Sequence, residues 1–334
     1  MANHVVLGGG VAATQAAEAI RSLRADDDIT LVAEEERPFY MRPLLADFVA
    51  GRLEEQRLWR DFETKAASIG MKLVTGRKAT GIDRGARALL LDDVTRLGYD
   101  KLLVATGVKP RLPDIRNVNL EGVTAFSTLA DARRLVEWTK DSRSAVVVGR
   151  GLQGVELTRA LHLRGLQVTL VVPDESPWFP HLFQIRGELI ERVLEERGVT
   201  VIALDRPAEL VGRDGRVTAV MTHEGRELPA DIVGFALDQR VVFDFLVGSG
   251  ISLADGVIVN SRLQTTDPDV YAAGDCAQLE EDGTRHPIGY GWLRAMEQGE
   301  AAGRNMAGGD AQVQSGDESE AQALYGTSLL ARWQ

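Results

Sequence analysis

The chain has 334 residues, of which 44% are hydrophobic, and its formal net charge is −11. This length is typical of about two domains, and the acidic balance argues against binding of nucleic acid through a basic face. No apolar run approaches the ~20 residues that a transmembrane helix needs, so we expect a cytoplasmic protein.

Cysteine and histidine, the residue types most often used in redox and metal sites, are sparse. Cys276 is the only cysteine, which excludes an intrachain disulfide and any reaction that reduces a cysteine pair within this chain. The five histidines show no spacing typical of metal ligands, and we predict no metal site.

The first predicted elements are a strand over residues 4–7, a glycine turn, and a helix over residues 11–24. This order is typical of a dinucleotide fingerprint, in which Gly8 permits the tight turn and Gly10 lets the backbone approach a pyrophosphate. The N–H groups at the helix start then hold the phosphates. The predicted contact residues are Gly8, Gly10, Val11, Ala12 and Ala13.

A second strand, residues 29–33, ends in an acidic run. An acid at this distance after the glycines is where a ribose hydroxyl pair is held. Glu34 is the first candidate for the ribose and Glu35 the second, while a solvated acidic turn is the alternative interpretation.

A further buried strand over residues 99–104 ends in the small-residue turn Ala105-Thr106-Gly107, and two prolines then mark a crossover between domains. The second fingerprint comes next, with a strand over residues 144–148 and a helical pattern over residues 155–164. Its predicted contact residues are Gly149, Gly151, Leu152, Gln153 and Gly154.

Two fingerprints in one chain predict two nucleotides with electron transfer between them, while a single ligand site plus a structural glycine turn is the alternative. Beyond the second unit, Asp275 follows a strand and a glycine, so its carboxylate can reach a closely approached ligand. A helix is predicted over residues 293–307. The last region is rich in Gly, Gln, Ser, Asp and Glu, which predicts a flexible linker before one terminal strand.

With these pieces in order, the chain resembles the FAD-dependent pyridine nucleotide oxidoreductases, and within them the ferredoxin and rubredoxin reductase group. That group also includes nitrite reductase flavin domains and flavoproteins like apoptosis-inducing factor. The resemblance runs from about residue 3 to about residue 307. It rests on six motifs in order: the first fingerprint, Tyr40-Met41-Arg42-Pro43, Ala105-Thr106-Gly107 with Pro110-Arg111, the second fingerprint with Glu156, Ala273-Gly274-Asp275, and Gln298-Gly299.

The resemblance implies an α/β fold with two Rossmann-like three-layer domains, in which an NAD domain is inserted into a discontinuous FAD domain. The expected FAD domain comprises residues 1–112 and 239–308. The expected NAD domain comprises residues 113–238, and residues 309–334 form the linker and terminal strand.

The resemblance also implies roles for single residues. The first fingerprint is expected to bind the FAD pyrophosphate, and Glu34 is expected to bind the adenosine ribose. Asp275 matches the residue that hydrogen-bonds the ribityl chain. Trp292 resembles a tryptophan beside the flavin ring, with a core aromatic as the alternative. The other predicted FAD-binding residues are Arg42, Ala79, Thr106, Gly107, Arg111 and Gly291.

For the second nucleotide, the resemblance places Glu156, the predicted catalytic residue, near the nicotinamide and the flavin. Asp174, after the strand over residues 168–172, is the candidate acid for the second ribose. A carboxylate there accepts both ribose hydroxyls and repels a 2′-phosphate, so NADH is favoured over NADPH.

Three departures separate this chain from the resemblance. Many relatives have a lysine near the flavin five residues after the arginine of the Tyr-x-Arg-Pro motif, and this chain has Asp47 there. The usual Gly-x-x-Pro turn beside the nicotinamide is replaced by Asp238-Gln239-Arg240-Val241. The relatives usually continue into a third, sheet-rich domain, for which only about a strand's worth of chain remains here.

The leading hypothesis is an oxidoreductase that passes electrons between NADH and an external iron–sulfur, ferredoxin or rubredoxin-like carrier through FAD. The alternative is an FAD-bearing electron-transfer subunit of a larger redox complex whose NAD domain is no longer used, motivated by Asp47 and the altered turn. Reduction of peroxide or oxygen through a redox cysteine is disfavoured, since Cys276 is expected to be a buried small residue.

Overall fold

A computed structural model describes residues 1–37, 39–59, 62–149, 151–173, 187–237, 239–286 and 291–314. The chain forms two compact units. Unit 1 comprises Met1–Tyr40, Trp59–Lys109 and Val241–Gly316, and unit 2 includes Met41–Leu58 and Pro110–Arg240.

Unit 1 is built on a five-stranded parallel sheet. The strand order is Val270–Ala272, Lys101–Val104, Asn3–Leu7, Asp28–Ala33 and Lys72–Thr75. The central strand, Asn3–Leu7, is the first strand of the chain. The next strand in the chain, Asp28–Ala33, lies on one side of it, and the later strand Lys101–Val104 lies on the other. Because the strand order reverses at this strand, its carboxyl end is where an open α/β sheet binds a ligand.

The helices of unit 1 bury small side chains. The first helix, Val11–Leu23, presents alanines to the core, and Ala13, Ala16 and Ala17 are fully buried. The other helices are Phe62–Ile69, Trp292–Met306 and the 3₁₀ turn Asp244–Leu246. The remaining strands are Ala79–Asp83, Ala88–Leu91, Arg96–Gly98, Val257–Val259, Ala277–Glu281 and Thr284–Arg285.

Unit 2 repeats the parallel arrangement. Its five-stranded sheet has the order Thr200–Ala203, Gln167–Val172, Ser144–Gly149, Ile232–Ala236 and Val123–Ala125. The strand order again reverses at the strand that carries the glycine turn, Ser144–Gly149. An antiparallel meander precedes the fourth of these strands and consists of Pro207–Arg213, Arg216–Thr222 and Glu227–Pro229.

The helices of unit 2 are Leu45–Val49, Leu129–Trp138, Gly151–Leu163 and Gly187–Glu196, with 3₁₀ turns at Arg42–Leu44 and Glu55–Leu58. Leu129–Trp138 begins at a capping box, in which the Thr128 hydroxyl accepts from the Asp131 N–H and the Asp131 carboxylate accepts from the Thr128 N–H. Short strands at Val108–Pro110 and Gln239–Val241 lie where the chain passes from one unit to the other.

The predicted α/β class with two Rossmann-like units is confirmed by these two parallel sheets. The grouping of the chain differs from the predicted domain boundaries most clearly at one segment. Met41–Leu58, which the sequence places with the first stretch, is grouped with unit 2. Arginine side chains hold it there: Arg133 binds Glu55, Arg159 binds Asp47, and Arg164 donates to the Val49 carbonyl.

Candidate functional site

The first glycine turn has the backbone geometry that a pyrophosphate site requires. Gly8 ends the central strand with φ +138°, and a Cβ there would lie 2.1 Å from the Ala105 carbonyl oxygen. Gly10 caps the helix Val11–Leu23 in an extended conformation, and a Cβ there would meet no atom of the described residues within 4 Å. Gly8 is therefore required for packing, whereas Gly10 leaves an open backbone surface at the helix start.

This open surface suits a negatively charged group. No side chain caps the helix Val11–Leu23 at Gly10, and its first turn carries no acidic residue. The N–H groups of the first turn and the helix dipole both favour an anion at this end. The residues present thus fit the diphosphate of a dinucleotide.

A second helix start lies at the same end of unit 1. Trp292–Met306 packs on Val11–Leu23 so closely that a Cβ on Gly299 would lie 2.3 Å from the Ala12 carbonyl oxygen. A Cβ on Gly303 would lie equally close to the Ala16 carbonyl oxygen. Each helix advances by four residues from the first contact to the second, and both advance in the same chain direction. The two helices therefore run parallel, and their N-termini lie at the same end. The Gln298-Gly299 motif thus has a structural cause.

Asp275 is positioned beside this second helix start. Its Oδ1 atom accepts from the Gly291 N–H at 3.2 Å, and Gly291 caps Trp292–Met306 with φ +137°. The preceding Gly274 N–H donates to Gln298 Oε1 at 2.8 Å. The turn and the helix therefore hold the Asp275 carboxylate in place.

The two ribose candidates have different partners. Glu34 is exposed and pairs with Lys109 Nζ at 2.5 Å, whereas Glu35 accepts from the Tyr40 hydroxyl at 3.0 Å. Tyr40 is buried, so it gives Glu35 a fixed support. The interpretation of this run as a purely solvated turn does not account for the Tyr40 contact.

The other predicted residues of the FAD set lie in both units. Ala79 is buried at the start of its strand, and Thr106 and Gly107 come after the strand Lys101–Val104 in unit 1. Trp292 is partly buried, and its ring centroid lies 5.9 Å from that of Phe39, as expected of a packed aromatic.

Arg42 and Arg111 fall in unit 2. Arg42 Nη1 donates to the Ser127 carbonyl at 2.8 Å, and Arg111 is exposed. Their contact with FAD stays a prediction.

The second glycine turn repeats the close backbone approach seen in the first. Gly149 has φ +156°, and a Cβ there would lie 2.2 Å from the Ala236 carbonyl oxygen. Gly151 has φ +77° and begins the helix Gly151–Leu163. A Cβ on Gly154 would lie 3.4 Å from the Gly149 carbonyl carbon, so the small third residue lets the helix lie against the strand end.

Gln153 and Leu152 occupy the first turn of this helix, and both are partly buried. The Gln153 amide donates to the Phe126 carbonyl and accepts from Gln239 Nε2 at 3.2 Å. Gln239 belongs to the altered turn that the sequence distinguishes from the resemblance. In this chain that turn supports the fingerprint through an amide hydrogen bond.

Glu156 is buried and ion-paired, which the sequence did not predict. Arg159, one helical turn later, is fully buried and donates from Nη2 to Glu156 Oε2 at 2.8 Å and to Asp47 Oδ1 at 2.7 Å. Burial disfavours the charged guanidinium, but the two carboxylates outweigh it and raise the pKa of Arg159 above its ordinary value. The signal in the sequence was the spacing Glu156-x-x-Arg159, which places the two side chains on one helix face.

A cavity of about 290 Å³ lies at the carboxyl ends of the strands of unit 2. Val148, Pro173 and Leu237 contribute from three strand ends, and Arg206 and His223 contribute two basic side chains. Asp174, the predicted acid for the second ribose, directly follows Pro173 and lies outside the described residues, as does Asp238.

Cys276, the only cysteine of the chain, is buried, and burial raises the pKa of its thiol. The expectation of a buried small residue is confirmed. Within the described ranges, no helix is both long and apolar enough to cross a membrane, and no group of three or more His, Cys, Asp or Glu side chains is placed to hold a metal ion.

Known proteins are similar to this chain in sequence and in fold. The pyridine nucleotide-disulphide oxidoreductase family matches residues 2–302. The ferredoxin--NAD(+) reductase component of the biphenyl dioxygenase system of Paraburkholderia xenovorans is 31% identical over 87% of this chain and 70% of its own length. The assimilatory nitrate reductase electron transfer subunit of Bacillus subtilis is 28% identical over 91% of this chain, which spans only 39% of that protein.

Among solved structures, a NAD-dependent persulfide reductase from A. fulgidus superposes with a TM-score of 0.87 at 29% identity. The match covers 93% of this chain and 60% of that one. The family match extends over nearly all the described residues and both glycine turns. The chain therefore belongs to the pyridine nucleotide-disulphide oxidoreductase family, which confirms the resemblance drawn from the six ordered motifs.

Proposed function

We propose that this protein is a cytoplasmic flavoprotein that transfers electrons between NADH and an external one-electron carrier through FAD. The observation that carries the proposal is the duplicated glycine turn, because Gly8 and Gly149 each hold a strand end against a backbone carbonyl shortly before a helix begins. When bound, FAD supplies the conversion between two-electron and one-electron chemistry.

Unit 1 supplies the FAD site in this proposal. The N–H groups after Gly10 bind the diphosphate, Glu34 or Glu35 accepts from the adenosine ribose, and Asp275 accepts from the ribityl chain. Glu35 is supported by Tyr40, and Asp275 by Gly291. These supports reduce the side-chain entropy that each carboxylate loses when a ligand binds.

Unit 2 supplies the nicotinamide nucleotide site. The helix start at Gly151 binds the diphosphate, and the cavity beside Val148 and Pro173 accepts part of the nucleotide. Glu156 is ion-paired with Arg159 and orients the nicotinamide ring. Asp174 stays the proposed determinant of NADH over NADPH.

The electron acceptor is proposed to be an iron–sulfur or rubredoxin-like protein. Since Cys276 is the only cysteine and is buried, no dithiol of this chain can take the electrons. The name of the Paraburkholderia relative, a ferredoxin--NAD(+) reductase component, supports the same class of carrier.

Anaerobic titration with NADH, followed by the flavin absorbance, tests the first half of the proposal. We expect stoichiometric bleaching with NADH and a much weaker response to NADPH. Addition of an oxidised ferredoxin or rubredoxin then tests the second half, since the absorbance should return. A flavin that stays oxidised under excess NADH would contradict the proposal.

The second candidate is an FAD-bearing electron-transfer subunit in which unit 2 no longer uses NADH. The relative that favours it is the Bacillus electron transfer subunit, whose length this chain covers only in part. Asp47 in place of the lysine of many relatives points the same way. Under this candidate the flavin is reduced by dithionite or by a reduced carrier and not by NADH.

A further inference from the structure

Two glutamine side chains form a hydrogen-bonded pair at the carboxyl ends of the strands of unit 2. Gln153 lies in the first turn of the helix Gly151–Leu163, and Gln239 follows the strand Ile232–Ala236. Gln239 Nε2 donates to Gln153 Oε1 at 3.2 Å. Both side chains are only partly buried, at the edge of the sheet where a unit of this kind binds its ligand.

A backbone carbonyl fixes the orientation of both amides. Gln153 Nε2 donates to the carbonyl of Phe126, which follows the strand Val123–Ala125. Because a carbonyl oxygen can only accept, the amide nitrogen of Gln153 must face Phe126 and its amide oxygen must face Gln239. The side chain of Gln239 must in turn present its nitrogen to Gln153. The two hydrogen bonds therefore select one orientation for each amide.

The Gln239 amide keeps hydrogen-bonding capacity for a ligand. A primary amide has two N–H donors and a carbonyl oxygen that can accept two hydrogen bonds. One donor is used by Gln153, and among the described residues the side chain of Gln239 has no other hydrogen-bond partner. One N–H and the carbonyl oxygen of the same amide remain. This combination is complementary to a second primary amide, which also offers one donor beside one acceptor.

The position of the pair in the sheet selects one half of a dinucleotide. In a Rossmann-like unit the diphosphate lies at the helix start after the central strand, and the adenosine ribose is held at the end of the second strand. In unit 2 these places are Gly151 and the end of the strand Gln167–Val172. The strands Ile232–Ala236 and Val123–Ala125 lie on the other side of the central strand. The amide of Gln239 therefore lies on the side away from the adenosine.

We propose that Gln239 binds the carboxamide of the nicotinamide ring, and that Gln153 is the positioning residue that fixes the Gln239 amide. The Gln239 carbonyl oxygen accepts from the carboxamide N–H, and the remaining Gln239 N–H donates to the carboxamide oxygen. This inference rests on the proposed use of NADH by unit 2 and names the group that recognises its nicotinamide end. Glu156, to which the proposed function assigns the orientation of the ring, lies one helical turn after Gln153.

Ligand binding to the FAD-loaded protein, measured by isothermal titration calorimetry, tests the assignment without turnover. The probes are NAD⁺, its acetylpyridine analogue, in which a methyl ketone replaces the carboxamide, and ADP-ribose, which lacks the nicotinamide. The unaltered protein should bind NAD⁺ about tenfold more tightly than the acetylpyridine analogue, because the ketone has no N–H to donate to Gln239. Equal affinities for these two probes would overturn the proposal.

Two variants test the separate roles of the glutamines. Gln239→Met removes the amide at similar volume, so NAD⁺ affinity should fall about tenfold and its advantage over the acetylpyridine analogue should disappear. Gln153→Met leaves the Gln239 amide without its fixed orientation, and NAD⁺ affinity should fall about threefold. ADP-ribose affinity should stay unchanged in both variants. Equal losses of NAD⁺ and ADP-ribose affinity in Gln239→Met would assign the effect to the backbone of the turn and overturn the proposal.

Gln167→Met is the matched control. Gln167 belongs to the same sheet but is exposed at the amino end of its strand, so the affinities for all three probes should equal those of the unaltered protein. If Gln239→Met does not fold, the comparison of NAD⁺ with its acetylpyridine analogue on the unaltered protein decides the proposal. If ADP-ribose binds and the carboxamide has no effect, only this inference fails. If neither NAD⁺ nor ADP-ribose binds, the proposed use of NADH fails together with it.

Discussion

Gly8 in unit 1 and Gly149 in unit 2 occupy equivalent places, each at the end of a central strand. In each case an added Cβ would lie about 2 Å from the carbonyl oxygen of a neighbouring strand end. The helices after these two glycines differ. The helix after Gly8 is lined by alanines and packs against a second helix, whereas the helix after Gly149 carries the buried Glu156 and Arg159. The same glycine turn can therefore precede helices whose buried side chains differ in chemistry, alanines in unit 1 and an ion pair in unit 2.

The largest effect is expected when the first glycine of each turn is replaced, one turn at a time. Gly8→Ala and Gly149→Ala each combine an unfavourable φ with a clash against backbone, and each should cost about 3–5 kcal/mol of unfolding free energy. Denaturant unfolding and FAD content measure the outcome. We expect Gly8→Ala to lose FAD, and Gly149→Ala to keep FAD but lose reduction by NADH.

Gly10→Ala is the control for these variants. Its φ is −93° and its Cβ has free space, so the fold should be retained with a loss below about 1 kcal/mol, while FAD affinity falls. Wild-type stability and FAD content in Gly8→Ala would show that the clash is relieved by a small shift and that the turn is not required.

The second prediction concerns the close helix pair of unit 1. Gly299→Ala places a Cβ 2.3 Å from the Ala12 carbonyl oxygen, so the two helices must separate, at a cost of about 2–4 kcal/mol. Thermal unfolding and FAD retention should both fall. In the control Gly98→Ala, the added Cβ would meet no atom of the described residues within 4 Å, so the unfolding temperature and the FAD content should stay unchanged. Equal behaviour of the two variants would argue against tight helix packing as the basis of unit 1.

The third prediction tests a buried acid of unit 2. Asp205 is desolvated, yet hydrogen bonds from Thr222, the Arg206 N–H and Arg226 hold the pKa of its carboxyl below the ordinary value of 3.8. Asp205→Asn should therefore cost about 1–3 kcal/mol at neutral pH.

The contribution of Asp205 is complete above pH 3.8 and is lost as the pH falls through the lower folded-state pKa. Urea unfolding at neutral pH and below pH 3.8 should show the gap between variant and wild type closing. The exposed Glu227→Gln serves as the control. A gap that persists in acid would assign the effect to packing.

The smallest expected effect is kinetic. Glu156→Gln keeps the shape of the side chain but removes the charge that pairs with Arg159, and we expect flavin reduction by NADH to slow by about tenfold, or roughly 1.4 kcal/mol in the barrier. FAD content should not change, because unit 1 is unaltered. Stopped-flow absorbance under anaerobic conditions measures the rate. An unchanged rate would remove Glu156 from the proposed site.

The parts of the fold that the sequence predicts are those with local causes. A glycine after an apolar run and before a helical pattern is sufficient to locate both turns, because strand, turn and helix are adjacent in the chain. The contact of Gly299 with Ala12 also has a trace in the sequence, since only a small residue permits such an approach.

The parts that the sequence did not predict depend on long-range side-chain contacts. Met41–Leu58 joins unit 2 through hydrogen bonds from arginines distant in the sequence, among them Arg133 and Arg164. The same applies to Asp47. From the sequence alone, this residue puts a negative charge where a positive one was expected, and no partner for it can be identified. Its compensation by Arg159 becomes visible only when the two helices are placed together.

The parallel pairing of Val11–Leu23 with Trp292–Met306 has a consequence for how the molecule is made. Ala12 is synthesised early and its packing partner Gly299 much later, so unit 1 cannot complete its core until the ribosome has passed the segment Pro110–Arg240 of unit 2. Contacts of such high sequence separation form slowly and leave apolar surface exposed in the meantime. During translation the first stretch of unit 1 therefore keeps the apolar face of Val11–Leu23 uncovered until the helix Trp292–Met306 has been made.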